Sequence, residues 1–148
     1  TILKMLRSAD RSIFKIVDLD EAWAFLNVAQ GETLSNKLVR AGRAMNAGVY
    51  FVTQSSGDVS KESLKNNIGL KFAFRSTDTN EIKQTLEFFG LDSEDENNQK
   101  RLRDLENGQC LMQDLYGRVG VVQIHPVFVE LLHAFDTRPP IKSEVDLE

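Results

Sequence analysis

Ile13-Phe14-Lys15-Ile16-Val17-Asp18-Leu19-Asp20-Glu21-Ala22-Trp23 is the stretch on which the fold of this chain turns. Its apolar run, Ile13, Phe14, Ile16 and Val17, predicts a buried strand that delivers two adjacent carboxylates, Asp20 and Glu21, to its C-terminal end. Carboxylates so placed form the acidic half of a nucleotide-hydrolysis site. The first holds magnesium, directly or through water, and the second orients and deprotonates the attacking water. The other half, a glycine-rich phosphate loop of the form G-x-x-x-x-G-K-[ST], occurs nowhere in the 148 residues. The segment therefore reads as the later part of an ATPase domain, an excised piece of a longer chain. The competing reading is structural: the two acids open the next helix, where its dipole favours them.

Working outward, residues 21–30 have apolar side chains at most positions and predict a helix packed on a sheet, ended by Gly31. Thr33 is placed to cap the next helix, in which Leu34, Leu38, Ala41 and Met45 recur at i, i+4, i+7 and i+11 and line one face. Gly48 is the expected helix exit, and residues 49–53 a second buried strand followed by a polar loop from Gln54 to Asp58. Strand, helix, strand in this order predicts a parallel α/β sheet. Adjacent parallel strands bring their C-terminal ends to one rim, so Gln54 is expected beside Asp20 and Glu21, where a neutral amide can sense a terminal phosphate or the lytic water. Arg43 falls almost opposite the apolar stripe of its helix and points away from its own core. It is either solvated or, in a ring-forming ATPase, a finger that reaches phosphates bound by a neighbouring subunit, with Arg40 in reserve.

Residues 60–67 suggest a short helix, 70–74 a third strand, 80–89 a helix with Ile82, Leu86 and Phe89 on one face, and the stretch to Leu105 another helix. Residues 109–115 and 118–124 are apolar runs joined through Tyr116-Gly117, an antiparallel hairpin added to the sheet, and 127–135 a last short helix. Arg75 and Arg118 stand at element ends where a ligand can be met, so both are candidate cofactor-binding residues, with a plain surface role as the stronger competing reading. Lys61, Lys65 and Lys71 form a modest basic group that can meet DNA phosphates but, without interleaved aromatics, reads rather as solvated. With 41% hydrophobic and 27% charged residues the chain can bury a core, which argues against disorder. A net charge of −4 excludes bulk attraction to nucleic acid, though not a local strip. The single cysteine, Cys110, excludes an internal disulfide, and two histidines, His125 and His133, make no zinc spacing. No apolar run approaches the roughly 20 residues of a membrane-spanning helix. The expected organisation is one domain over residues 1–138 and a flexible tail over 139–148.

Taken together, IFKIVDLDEAWAFL, LVRAGRAMNAGVYFVTQS, LKFAFRSTD, NGQCLMQDLYGRVGVVQI and AFDTRP resemble the C-terminal ATPase part of the large conjugation and type IV secretion ATPases, above all the version found in Gram-positive conjugative elements. The resemblance implies a partial RecA-like P-loop NTPase sheet, mostly parallel, with the antiparallel hairpin at its end and the phosphate loop upstream. It implies ATP and Mg2+ as cofactors of the full-length protein, with Asp20 on the metal, Glu21 and Gln54 catalytic, and Arg43 as the finger. It further implies a homo-oligomeric ring, often hexameric, partnered with channel proteins and in some cases DNA, at the inner face of the bacterial membrane. The family's strand order puts the missing phosphate-loop strand between residues 49–53 and 70–74; its removal opens a gap, so the isolated piece is expected either to close the sheet differently or to fill the exposed edge with another copy of itself. A non-catalytic assembly or docking module of the secretion machine is the alternative, and a metal-dependent nuclease on Asp18, Asp20 and Glu21 a weaker third.

Overall fold

The computed structural model describes residues 2–59 and 65–134, with Trp23, Phe25, Ala29, Glu32, Arg43, Asp58 and Val59 described by backbone alone. Strand β1 (Lys15–Leu19) and strand β2 (Ala47–Phe51) pair in parallel, Lys15 opposite Ala47 through Leu19 opposite Phe51. The crossover between them is helix α2 (Ala22–Leu26), helix α3 (Ala29–Gly42) and a 3-10 turn, Arg43–Met45. Helix α1 (Ile2–Ser8), which the sequence reading did not foresee, precedes β1 and buries Leu6 against Leu38 and Met45. The stripe of α3 lies as expected: Leu38 and Met45 are buried, and Leu34 and Ala41 pack on them.

Three local expectations are corrected. Gly31 does not end a helix: the chain breaks earlier, at residues 27–28, and α3 runs through a buried Gly31, whose N–H donates to Val28 O. Thr33 accordingly lies inside α3 and not at its start. Gly48 is not the helix exit but a β2 residue, where a Cβ would come within 3.1 Å of the Phe14 ring. The exit is made by Asn46, held at φ 50° with its side-chain amide on Arg11 O at 3.0 Å.

The second half begins with strand β3 (Lys71–Ala73) and continues through helix α4 (Thr79–Phe89), helix α5 (Glu96–Arg103), strands β4 (Gln109–Gln113) and β5 (Val119–Gln123) and helix α6 (Val129–Ala134). Asp78 caps α4 by accepting the Glu81 N–H, an arrangement that stabilises by about 1 kcal/mol. Gly90, at φ 74°, closes the helix while the Leu91 N–H reaches Leu86 O. The expected hairpin is present: β4 pairs antiparallel with both β3 and β5. The helix expected over residues 60–67 lies largely outside the described residues, as does the tail from 139.

Among the described residues the strands form two sheets, β1-β2 and β3-β4-β5, with no ladder between β2 and β3. The sheet is thus divided where the resemblance sets a further strand. Both halves still share one core. Ala22 and Leu26 of α2, Ile82, Leu86, Phe88 and Phe89 of α4, Leu102, Leu105 and Leu111 form its centre, with Leu19, Phe51 and Ala73 from three strands packed on it. Each fully buried leucine or isoleucine here stabilises by roughly 1.5–3 kcal/mol. On the outer side Phe14, Ile16, Tyr50, Val52, Phe72 and Phe74 are all at least half exposed, which corrects the expectation of buried strands: β1 and β2 are covered on one face alone, because the helices of their crossover and the shared core pack on that face.

Lys71 is not solvated but buried, its Nζ donating to Phe88 O at 2.8 Å and lying 4.6 Å from the centre of the Phe88 ring. Lys65 donates to the adjacent Glu87 O at 2.6 Å. Two of the three lysines read as a basic group thus serve the negative end of α4, and Lys61 lies outside the described residues.

Candidate functional site

The acid pair sits where β1 ends. The ladder continues one step beyond both strands: the Val52 N–H donates to Leu19 O at 3.1 Å, and the Ala22 N–H donates to Val52 O at 2.9 Å. Ala22 is completely buried, so the chain must turn between Leu19 and Ala22, and Asp20 and Glu21 are the exposed residues that make the turn. Glu21 takes a left-handed conformation, φ 52°, and its N–H donates to Asp20 Oδ1 at 2.9 Å. Such a conformation costs a residue with a Cβ about 1–2 kcal/mol, and strain of this kind collects at functional sites.

Because Val52 is stitched to both Leu19 and Ala22, Gln54 emerges beside the acid pair, and its Nε2 donates to Glu21 Oε1 at 3.1 Å. The three residues read from sequence as the heart of the site therefore stand at one rim, Gln54 and Glu21 in direct contact. Asp20 is exposed. One carboxylate completed by waters and phosphate oxygens is the donor set that magnesium commonly takes, so Asp20 fits that role.

The arginines divide. Arg75 is exposed in the connection from β3 to α4, the helix whose first turn meets the loop after β2. Arg118 sits at the other end of β3. The β4–β5 turn adjoins Lys71 because Gln113 pairs with Lys71, and there Arg118 Nε donates to Asp114 Oδ2 at 2.6 Å with its guanidinium 5.3 Å from the Tyr116 ring centre. Desolvation pushes the Asp114 carboxyl up, but the hydrogen bonds from Arg118 and Tyr116 outweigh it and hold it below the usual range. The structure does not bring Arg118 to the rim. Arg43 opens the 3-10 turn after α3, its side chain outside the described atoms, and Arg40 is exposed in the last turn of α3. Burial pushes the Cys110 thiol up, so it stays a neutral core group.

Sequence reasoning missed Glu81. Its carboxylate accepts hydrogen bonds from Ser55 and Ser56, the residues directly after Gln54. Asp78-x-x-Glu81 has the spacing of a helix capping box, a signal that marks Glu81 as part of a helix start and conceals its link to a distant loop.

A parallel strand-helix-strand unit whose ends set an acid pair against an amide is the rim of a mixed α/β domain of partial P-loop type. The chain belongs to the AAA-like domain family, whose model matches residues 1–135, and this membership points to an ATPase-type motor domain. It is also similar to the uncharacterized protein YddE of Bacillus subtilis (strain 168), 34% identical over 119 residues, which are 80% of this chain and 14% of that protein. The chain thus spans about one seventh of the length of that relative. Among the described residues no helix is long and apolar enough to cross a membrane.

Proposed function

We propose that this chain is the ATP-hydrolysing segment of a motor ATPase that drives DNA or protein through a conjugative or type IV secretion channel, working within a longer polypeptide. One observation carries the reading: the 3.1 Å hydrogen bond from Gln54 to Glu21 at the rim bearing Asp20. Residues 33 apart in sequence meet there, with the acid held in a costly backbone conformation. Asp20 would hold Mg2+, whose charge neutralises the nucleotide phosphates when it is bound. Glu21 takes the proton of the attacking water at its carboxylate, and Gln54 fixes the orientation of that carboxylate and of the water. Arg75 approaches the phosphates from the β3–α4 connection, and Arg43 serves a neighbouring subunit of a homo-oligomeric ring. Residues 1–138 then form the later part of the motor domain, placed by the transfer machinery at the inner face of a bacterial membrane.

Substitution in the full-length protein tests this. Glu21→Gln should retain nucleotide binding and lose turnover, and unchanged hydrolysis would remove Glu21 from the chemistry. Arg43→Ala should lower turnover by about a thousandfold if it stabilises transition-state charge, whereas a normal rate makes it a surface residue. The exposed apolar side of the strands favours a second reading, an assembly or docking module. Glu21→Gln that leaves cargo transfer intact would select it. The nuclease reading draws no support, because among the described residues no three acids, histidines or cysteines gather as a metal site.

A further inference from the structure

One carboxylate holds the loop that carries Gln54. Glu81 Oε2 accepts from Ser55 Oγ at 2.8 Å, while Oε1 accepts from the Ser56 backbone N–H at 2.7 Å and from Ser56 Oγ at 2.9 Å. Thr85, one turn further along α4, donates to Ser56 Oγ at 3.1 Å. The Gly57 N–H closes the loop on Ser55 Oγ at 3.2 Å, and a Cβ on Gly57 would stand 2.8 Å from Gln84 Oε1. Positions 81, 84 and 85 share one face of a helix. Loop 55–57 is therefore seated on the first turns of α4.

The seat is built with ionised and partly buried bonds, which are shorter and stronger than neutral exposed ones. In a capping box the third helical residue turns its carboxylate back to the cap N–H. Here Asp78 alone supplies the cap, and Glu81 is turned sideways to a loop 25 residues away. Ser55 follows Gln54 directly, so any shift of the loop moves the amide off Glu21.

Building on the ATPase reading above, the geometry points to Glu81 as a positioning residue for hydrolysis. It touches no reacting atom; it fixes the loop so that Gln54 meets Glu21, and it couples the α4 end of the β3–α4 connection to that contact. Its effect on turnover passes through Gln54 alone.

The test is a kinetic cycle on the full-length protein. Glu81→Ala should lower kcat for ATP by roughly a hundredfold, the cost of an ångström-scale misplacement, with KM changed less than about twofold. Glu81→Gln, which keeps acceptor oxygen for the serines, should recover most of the rate. In a Gln54→Ala background Glu81→Ala should add nothing. The Ser55→Ala/Ser56→Ala double variant removes the two hydroxyl donors, keeps the Ser56 N–H bond and leaves the α4 sequence unchanged, so it should show a smaller kcat loss in the same direction that also vanishes in the Gln54→Ala background, which keeps the idea testable if Glu81→Ala folds poorly. Additive losses of Glu81→Ala and Gln54→Ala, or a raised KM with unchanged kcat, would overturn the positioning role alone. Wild-type turnover in Gln54→Ala would instead overturn the reading of Gln54 and with it the role of Glu81.

Discussion

Glu21 at φ 52° makes a stability prediction that does not depend on catalysis. Glu21→Ala and Glu21→Gly remove the same carboxylate and the same bond from Gln54, so the difference between the two variants isolates the backbone. Relief of left-handed strain favours glycine by about 1–2 kcal/mol. The greater freedom of glycine in the unfolded chain opposes it by about 0.4–1 kcal/mol. Glu21→Gly should therefore be the more stable by about 0.5–1 kcal/mol, the reverse of the order inside an ordinary helix or strand, where glycine loses about 0.5–1 kcal/mol to alanine. For a chain of this size each kcal/mol is worth about 2–4 °C of Tm. Urea titration and thermal melting followed by circular dichroism would read the difference as a higher midpoint for Glu21→Gly at unchanged m-value. An alanine variant that melts at or above the glycine variant would refute the strained turn, and with it the claim that the rim stores backbone energy at its acid.

Leu86 is completely buried at the centre of the shared core, so Leu86→Ala should cost about 2–5 kcal/mol, read as a lower urea midpoint, and a loss below 1 kcal/mol would mean that the two halves do not pack on α4. Lys71 predicts a pH effect. Burial, and secondarily the Lys65 ammonium, hold its ammonium below the ordinary lysine range. Between the folded value and the unfolded value near 10.5 the unfolded chain binds more protons, so stability rises with pH in that window. The penalty is therefore full below the folded value, and wild type should gain on Lys71→Met as pH rises through that value toward 10.5; parallel pH curves for the two proteins would exclude it. Asp78→Ala should cost about 1 kcal/mol by uncapping α4, and amide exchange should show the loss first at the start of that helix.

How much could be read from the residues alone depended on whether one element or two decided a position. Strands β1 and β2 were legible as strands from their apolar residues, but not the exposure of one face of each, since Ile16 and Tyr50 read as core residues and are uncovered; α4 was legible because Ile82, Leu86 and Phe89 repeat at helical spacing. The meeting of Glu21 with Gln54 followed from those two strands, since parallel neighbours share a rim. Glycine misled the reading twice. Gly31 and Gly48 have the composition of chain breaks, yet Gly48 is small because the Phe14 ring lies on it. The break itself fell to Asn46, which can take a positive φ. Lys71 was illegible because its partners are carbonyl and ring atoms of α4, groups that every sequence has and none advertises. Glu81 was hidden for a similar reason: its spacing to Asp78 explains it locally, so nothing in the string points to Ser55 and Ser56.

The uncovered outer side of the strands has a practical consequence at the bench. Phe14, Tyr50, Phe72 and Phe74 offer aromatic rings to solvent in the folded state. A hydrophobic fluorophore such as ANS, whose brightening is routinely taken as a sign of a molten globule, should therefore light up on this protein while its near-ultraviolet dichroism and cooperative melting remain intact.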